Sequence, residues 1–218
     1  NVKVTASDDI ALTGGSGSGA VGGFAGVGAT ADINIVRNTT AASVGDAAQV
    51  EASNDIVVEA LAQKNVQAAA TAAAGGGSAG IAGAVAVLSL GAKLDSESQS
   101  NLGGGKSASY ADEKIKQDQV SGQLGNSEHV QMAKRTTAAQ SASQSVASDM
   151  NSTSTSSLDK TQAALGSGAQ LKAGNDVRIA AGDKVKARLD AVGFAVGTVG
   201  LGGAVGVAVT NSTTEAIT

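Results

Sequence analysis

The sequence predicts a mainly β chain wound as a parallel β-helix (a β-solenoid) with a partly helical insertion, and three observations lead there. The first is a self-match: ASVGDAAQVEASNDI, from Ala42 to Ile56, returns without a gap as AALGSGAQLKAGNDV, from Ala163 to Val177. Asn54 and Asn175 are therefore 121 residues apart (175 − 54), and self-similarity at a fixed offset is the mark of stacked repeat units. The second is composition. Gly accounts for 30 of 218 residues, while Pro, Cys and Trp are absent and there are one Tyr and two Phe. Aromatic side chains normally supply much of a core's buried area. A chain without them needs a thin core of Ala, Val, Ile and Leu, which suits stacked repeats better than a sphere. The third is period-two patterning, with Val205, Val207 and Val209 on one side and Ala204, Gly206 and Ala208 on the other.

Charge and cysteine content exclude several classes. The net charge is −4, which leaves no basic footprint for nucleic acid or an anionic membrane. Without Cys there are no disulfides, no thiol catalysis and no thiolate metal sites. Asn1-Val2-Lys3-Val4 reads as a strand and not as a signal peptide, and both ends fall inside repeats, so the chain is expected to belong to something longer.

The first unit opens with Val2 to Ala6 in apolar alternation, turn residues Ser7-Asp8-Asp9, and a second short strand at Ile10-Ala11-Leu12. A Gly/Ser tract from Gly14 to Gly23 leads to Phe24–Ala29 and then to Ala31–Ile35. Asn38-Thr39-Thr40 turns the chain towards Ala42. The second unit repeats this script with Ile56–Ala60, the glycines Gly75 to Gly77, and Gly80–Val87. Gly80 follows Gly26 by 54 residues (80 − 26). The third gives Val177–Ala181, Val185–Leu189 and Gly200–Val207, and Asn211-Ser212-Thr213 matches Asn38-Thr39-Thr40 once a one-residue gap is allowed. Ordinary strand and turn lengths imply about two coils per 54-residue unit. Glycines at the corners would supply positive φ, and the crossover rule favours a right hand.

The two offsets differ by 67 residues (121 − 54), so the second unit carries an insertion. The expected organisation is solenoid over 1–96, insertion over 97–163 and solenoid again over 164–218. Within the insertion, Tyr110–Gln117 and Ser127–Arg135 are rich in helix formers, with Ser127 placed to cap the second. Ser141 to Ser157 is a low-complexity Ser/Thr tract. Insertions in repeat proteins fall on loops, often on the binding face.

The uncharged stretches Asn65–Ala92 and Ala191–Thr214 are long enough to cross a bilayer as helices. Their glycine density, the low transfer energy of Ala and Gly, and the period-two alternation favour strands instead.

An A-x-N-D-[IV] strand start at Asn54–Val58, a glycine tract at Gly26–Gly28, the Asn38–Thr40 turn and the Val44–Ala52 strand recur across the units. This pattern resembles the repeats of large bacterial exoproteins of the filamentous haemagglutinin-like and leukotoxin-like filamentous adhesin families. The likeness covers everything except the insertion. It implies a secreted or cell-surface right-handed β-helix in adhesion, biofilm formation and virulence, continuous with further repeats. It implies as partners a host-cell or matrix surface, a glycan or a neighbouring fibre, and it brings no catalytic residues.

No catalytic, cofactor-binding or metal-binding residue is assigned, and no cofactor is expected. His129 is the only histidine and lacks partners for a metal or a triad, so it reads as a solvated helix residue. Gly26-Val27-Gly28 has neither the Walker lysine nor the strand-turn-helix setting of a phosphate cradle. Asp8-Asp9, Asp55 and Asp176 lack the nonapeptide spacing of calcium-binding β-rolls and read as turn caps. Lys3, Glu59, Arg178, Lys186 and Arg188 fit the outward positions of alternating strands. The expected function is thus a non-enzymatic adhesin segment, a stalk with a protruding insertion. One alternative is a membrane-active segment inserting its Gly/Ala/Val tracts in lipid. The other is a β-helical polysaccharide-modifying enzyme, against which the scarcity of aromatic platforms weighs.

Overall fold

A computed structural model describes residues 1–91 and 159–218. The described chain is mainly β, with parallel sheets and no helix. Its strands are β1 (Val2–Gly22), β2 (Ala25–Val36), β3 (Thr39–Val44), β4 (Gln49–Ala52), β5 (Ile56–Gly76), β6 (Ala79–Leu90), β7 (Asp159–Leu165), β8 (Gln170–Ala173), β9 (Val177–Val196), β10 (Val199–Thr210) and β11 (Ser212–Ile217). They assemble in the orders β1-β5-β9, β2-β6-β10, β3-β7-β11 and β4-β8. Each strand pairs with its counterpart one repeat away, an arrangement compatible with a β-solenoid.

Every 54-residue unit forms one tier, not the two coils expected. Val2 pairs with Ile56 and Ile56 with Val177, so the sequence offsets are the inter-tier registers. The strands are simply long: β1 has 21 residues and β2 has 12. Ser7-Asp8-Asp9 and the Gly/Ser tract, read from sequence as turn and linker, lie inside β1. Each residue from Val2 to Gly22 has a partner between Ile56 and Gly76. Continuous backbone pairing with the next tier satisfies groups that a local turn would satisfy only in part, and it overrides turn propensity.

Within a tier the long strand faces a wall made of the shorter ones. β2 and β3 pack across from β1, and β6 packs across from β5. Side-chain size grades along this narrow interior. Near the start of the long strands, Val4, Val58, Ala60 and Ile179 meet Ala42, Val44 and Ala163 of the wall. In the middle, Ile10, Leu12, Val66 and Leu189 meet Val36, Leu88 and Leu90. At the far end Ala70, Ala72 and Ala74 face Ala82, Ala84 and Ala86. There the layers approach so closely that a Cβ on Gly28 would lie 2.4 Å from the Ala73 carbonyl oxygen. Ordinary face-to-face sheets stand about 10 Å apart, and only Ala and Gly allow this closer approach.

Glycine's main use here is therefore proximity. Among the described glycines only Gly91 and Gly168 have positive φ, so the expectation of positive-φ glycines at the corners holds at these two. The corner between the long strand and the wall is two residues, Gly23-Phe24 in the first tier and Gly77-Ser78 in the second. Ser78 N donates to Phe24 O at 2.9 Å and Val199 N to Ser78 O at 3.0 Å, so the corners also stack.

The seam between units is as the self-match implies. β4 ends at Ala52, Asn54-Asp55 turns, and β5 starts at Ile56, with Ala173, Asn175-Asp176 and Val177 as the second copy. The second-tier wall resumes at Asp159, so 159–163 belongs to strand β7. The expected helices at 110–117 and 127–135 lie outside the described residues. One alignment slips by a residue: Ser212 pairs with Asp159, and Thr213 and Thr39 both pair with Lys160, so Asn38 corresponds to Ser212 and not to Asn211.

Candidate functional site

Alternation along β5 turns Ile56, Val58, Ala60, Ala62, Lys64 and Val66 to the interior. Lys64 thus places an ammonium where its neighbours place methyl groups, with 0% exposure. A buried charge is tolerable only when paired and hydrogen-bonded. Lys64 Nζ donates to Asp159 Oδ2 at 2.6 Å and to Asp183 Oδ1 and Oδ2 at 3.0 and 2.9 Å. Asp159 opens β7 on the facing wall, and Asp183 lies on β9 in the next tier. One ammonium therefore ties the wall and two tiers together.

The same place in the cross-section is polar in all three tiers. Asp8 shares a register column with Ala62 and Asp183. Asp8 accepts a hydrogen bond from Asn38 Nδ2, and Asp183 accepts one from Ser212 Oγ. Asn38, Asp159 and Ser212 sit at the bend between the β2-β6-β10 and β3-β7-β11 walls. Burial alone would lower the pKa of Lys64. The hydrogen bonds to Asp159 and Asp183, with their negative charges, outweigh it and hold the ammonium above its ordinary value of 10.5. Asp159 Oδ1 and Thr161 Oγ1, two residues apart on the same strand, are buried without a hydrogen-bond partner.

Against this column, Ser7, Asp9, Leu61, Gln63, Gly182 and Lys184 rim an open depression of about 460 Å3 across the β1-β5-β9 sheet, and Asp8, Ala62 and Asp183 line it too. Gly182 deepens it by lacking a side chain next to Leu61. Charged pairs decorate the same sheet: Glu59 meets Lys3 at 3.8 Å and Arg178 at 3.6 Å, and Arg188 meets Asp190 at 2.7 Å. The depression holds no aromatic platform, and Lys64 and Asp159 behind it are sealed from solvent. Chemically, the arrangement locks tiers in register and offers a shallow polar surface.

The candidates weighed in the sequence scatter. Asp8 belongs to the interior column, and both it and Asp9 line the depression. Asp55 accepts a hydrogen bond from Asn175 Nδ2 at 2.9 Å, so the two Asn-Asp corners cap one another. Among the described residues no group of three or more His, Cys, Asp or Glu is placed to hold a metal ion. Gly26 and Gly28 are strand residues in close contact with β5. His129 lies outside the described residues. Lys3, Glu59, Arg178, Lys186 and Arg188 do face outward. The residues missed were Lys64, Asp159 and Asp183. The signal for Lys64 was parity, since it stands on the apolar side of the Val58-Ala60-Ala62-Val66 alternation.

Comparisons with protein families, with curated proteins and with solved structures return no match.

Proposed function

We propose that this chain is a non-enzymatic segment of a right-handed β-helical surface fibre, a repetitive stalk that displays the segment after Gly91 for attachment to a cell or matrix surface. The observation that carries this reading is the register: a 54-residue unit makes one tier, and the third tier repeats the second despite 67 extra residues (121 − 54) between them. A scaffold whose units interact only with their neighbours can lengthen by repetition and tolerate insertions at its corners. The resemblance to filamentous adhesin repeats points the same way, and so does the sealing of Lys64 and Asp159 away from any substrate.

The test is attachment. Beads coated with the purified chain should adhere to cultured cells or matrix-coated plates above albumin-coated beads. Deleting residues 92–158 should abolish the difference while leaving the β-type far-UV spectrum. Equal adhesion of both bead types sinks the adhesive role, and a helix-dominated spectrum sinks the stalk.

A further inference from the structure

The thin end of the cross-section, where the alanine-lined layers close, carries an apolar rim on its outside. The chain has two phenylalanines and no tryptophan, and both phenylalanines stand in solvent, Phe24 at 69% and Phe194 at 61% exposure. Val21, Val192 and Val196 beside them are exposed at 94%, 51% and 55%. All five sit at or shortly before a corner between long strand and wall, Gly23-Phe24 in the first tier and 197–198 in the third. The β1-β5-β9 columns that contain Val192, Phe194 and Val196 hold only Gly, Ala, Thr and Val in the other tiers. Single exposed apolar residues are ordinary, but a contiguous strip that includes every phenylalanine of an aromatic-poor chain marks a contact surface.

Charge is kept away from this edge in every tier. Residues 10–31, 65–91 and 191–214 contain no Asp, Glu, Lys or Arg. The charged residue nearest a corner along the strands is Asp190, and the six residues 191–196 separate it from the third-tier corner. At about 3.3 Å per residue these six span roughly 20 Å. Interfacial contact with a bilayer buries an apolar surface by about 5–10 Å, so at that depth no charge leaves water.

Backbone groups at these corners are bonded from tier to tier. Gly77 N donates to Gly23 O at 3.2 Å, Ala79 N to Phe24 O at 3.0 Å and Val199 N to Ser78 O at 3.0 Å. Hydroxyls near the rim are bonded internally as well: Thr198 Oγ1 donates to Gly77 O and Thr30 Oγ1 to Ser16 Oγ, each at 3.0 Å. Lipid admits backbone only where its polar groups are paired within the protein, a condition that ordinary loops do not meet. A protein partner makes no such demand, and its register is ordinarily set by charged and polar groups that this rim lacks.

We propose that the thin edge, with Val21, Phe24, Val192, Phe194 and Val196 as its apolar contacts, seats the stack on a zwitterionic lipid surface at interfacial depth. No Lys or Arg lies within that depth and the net charge is −4, so anionic lipid adds nothing to the attraction. The contact belongs to the stack itself and uses no residue after Gly91 in its second tier. It therefore goes beyond the attachment role and stands or falls separately from it.

Vesicle flotation of the full chain is the test. The chain should float with phosphatidylcholine vesicles. Phe24→Ser combined with Phe194→Ser should weaken partition at least about tenfold, the equilibrium equivalent of burying one phenylalanine side chain. Ile217→Ser, which removes an exposed apolar side chain away from the rim, should leave flotation unchanged. Because the chain has no tryptophan, Phe194→Trp reports location. Its emission should move to the blue on adding the vesicles, whereas that of Lys172→Trp, on the β4-β8 edge, should stay where it is. Absence of flotation overturns the proposal. So does flotation that the double variant retains, or that appears only with phosphatidylserine. A lipid-free dimer in sedimentation that the double variant abolishes, with no flotation, would assign the rim to a second copy and overturns it too. Should the double variant fail to fold, an unshifted Phe194→Trp emission still rejects the lipid contact.

Discussion

Lys64 Nζ and Asp159 Oδ2 are 2.6 Å apart although 95 residues separate them in the chain. The pair joins a long strand to the first residue of β7, where the wall resumes, and Asp183 extends it to the next tier. Removing one partner of a buried pair leaves an uncompensated charge, at a cost of about 3–5 kcal/mol. Lys64→Met is therefore expected to destabilise by that amount in urea unfolding. Combining it with Asp159→Asn and Asp183→Asn should recover most of the loss, because no buried charge then stays unpaired. A loss under about 0.5 kcal/mol for Lys64→Met, the range of ordinary surface changes, would show that the network is not holding the wall.

The same network sets an alkaline limit. The folded-state pKa of Lys64 is raised, so its stabilisation is fully present below the unfolded lysine value of 10.5. It is lost as pH rises through the higher folded value. Unfolding free energy measured from neutral pH to above 10.5 should fall more steeply in the wild-type chain than in the triple variant lacking all three charges. Parallel curves would contradict the pairing.

Glycine substitutions should separate by position. At Gly28 a Cβ meets the Ala73 carbonyl oxygen at 2.4 Å, and Gly28→Ala is expected to cost about 1–3 kcal/mol as overpacking. At Gly15 nothing lies within 4 Å, and Gly15→Ala should stabilise by about 0.4–1 kcal/mol through the unfolded chain. Thermal unfolding of the two variants, shifted in opposite directions, is the check.

Ala47 has φ 53° in the turn between β3 and β4, and its counterpart one repeat away is Gly168 at φ 71°. A side chain in left-handed backbone costs about 1–2 kcal/mol, so Gly168→Ala should lose about that much. Ala47→Gly trades relief of that strain against glycine's extra unfolded-state entropy of about 0.5–1 kcal/mol, leaving a gain of at most about 1.5 kcal/mol. Denaturant midpoints would show this asymmetry.

The exposed pair Lys172–Glu51, at 2.9 Å, repeats a column contact on the β4-β8 edge. Both side chains are solvated, so Glu51→Gln should change stability by less than about 0.5 kcal/mol, and salt should erase even that. A larger effect would mean that this edge is less open than its exposure indicates.

What the sequence determined by itself was periodicity. Offsets of 54 and 121 residues, the Asn54-Asp55 and Asn175-Asp176 corners and the alternation of β10 follow from local pattern, because parallel tiers place each unit on its own copy. Outward Lys3, Glu59 and Arg178 followed from the same period of two. Tertiary structure decided how far each strand runs and which side faces in. Ser7-Asp8-Asp9 has turn chemistry, yet pairing with Leu61-Ala62-Gln63 extends it within β1. Val85 and Val87 look like core residues beside Ala84 and Ala86, yet the alanines face in, since only small side chains fit between layers that close. Lys64 finds Asp159 and Asp183 only when distant segments stack, a relation that no local window of the chain contains.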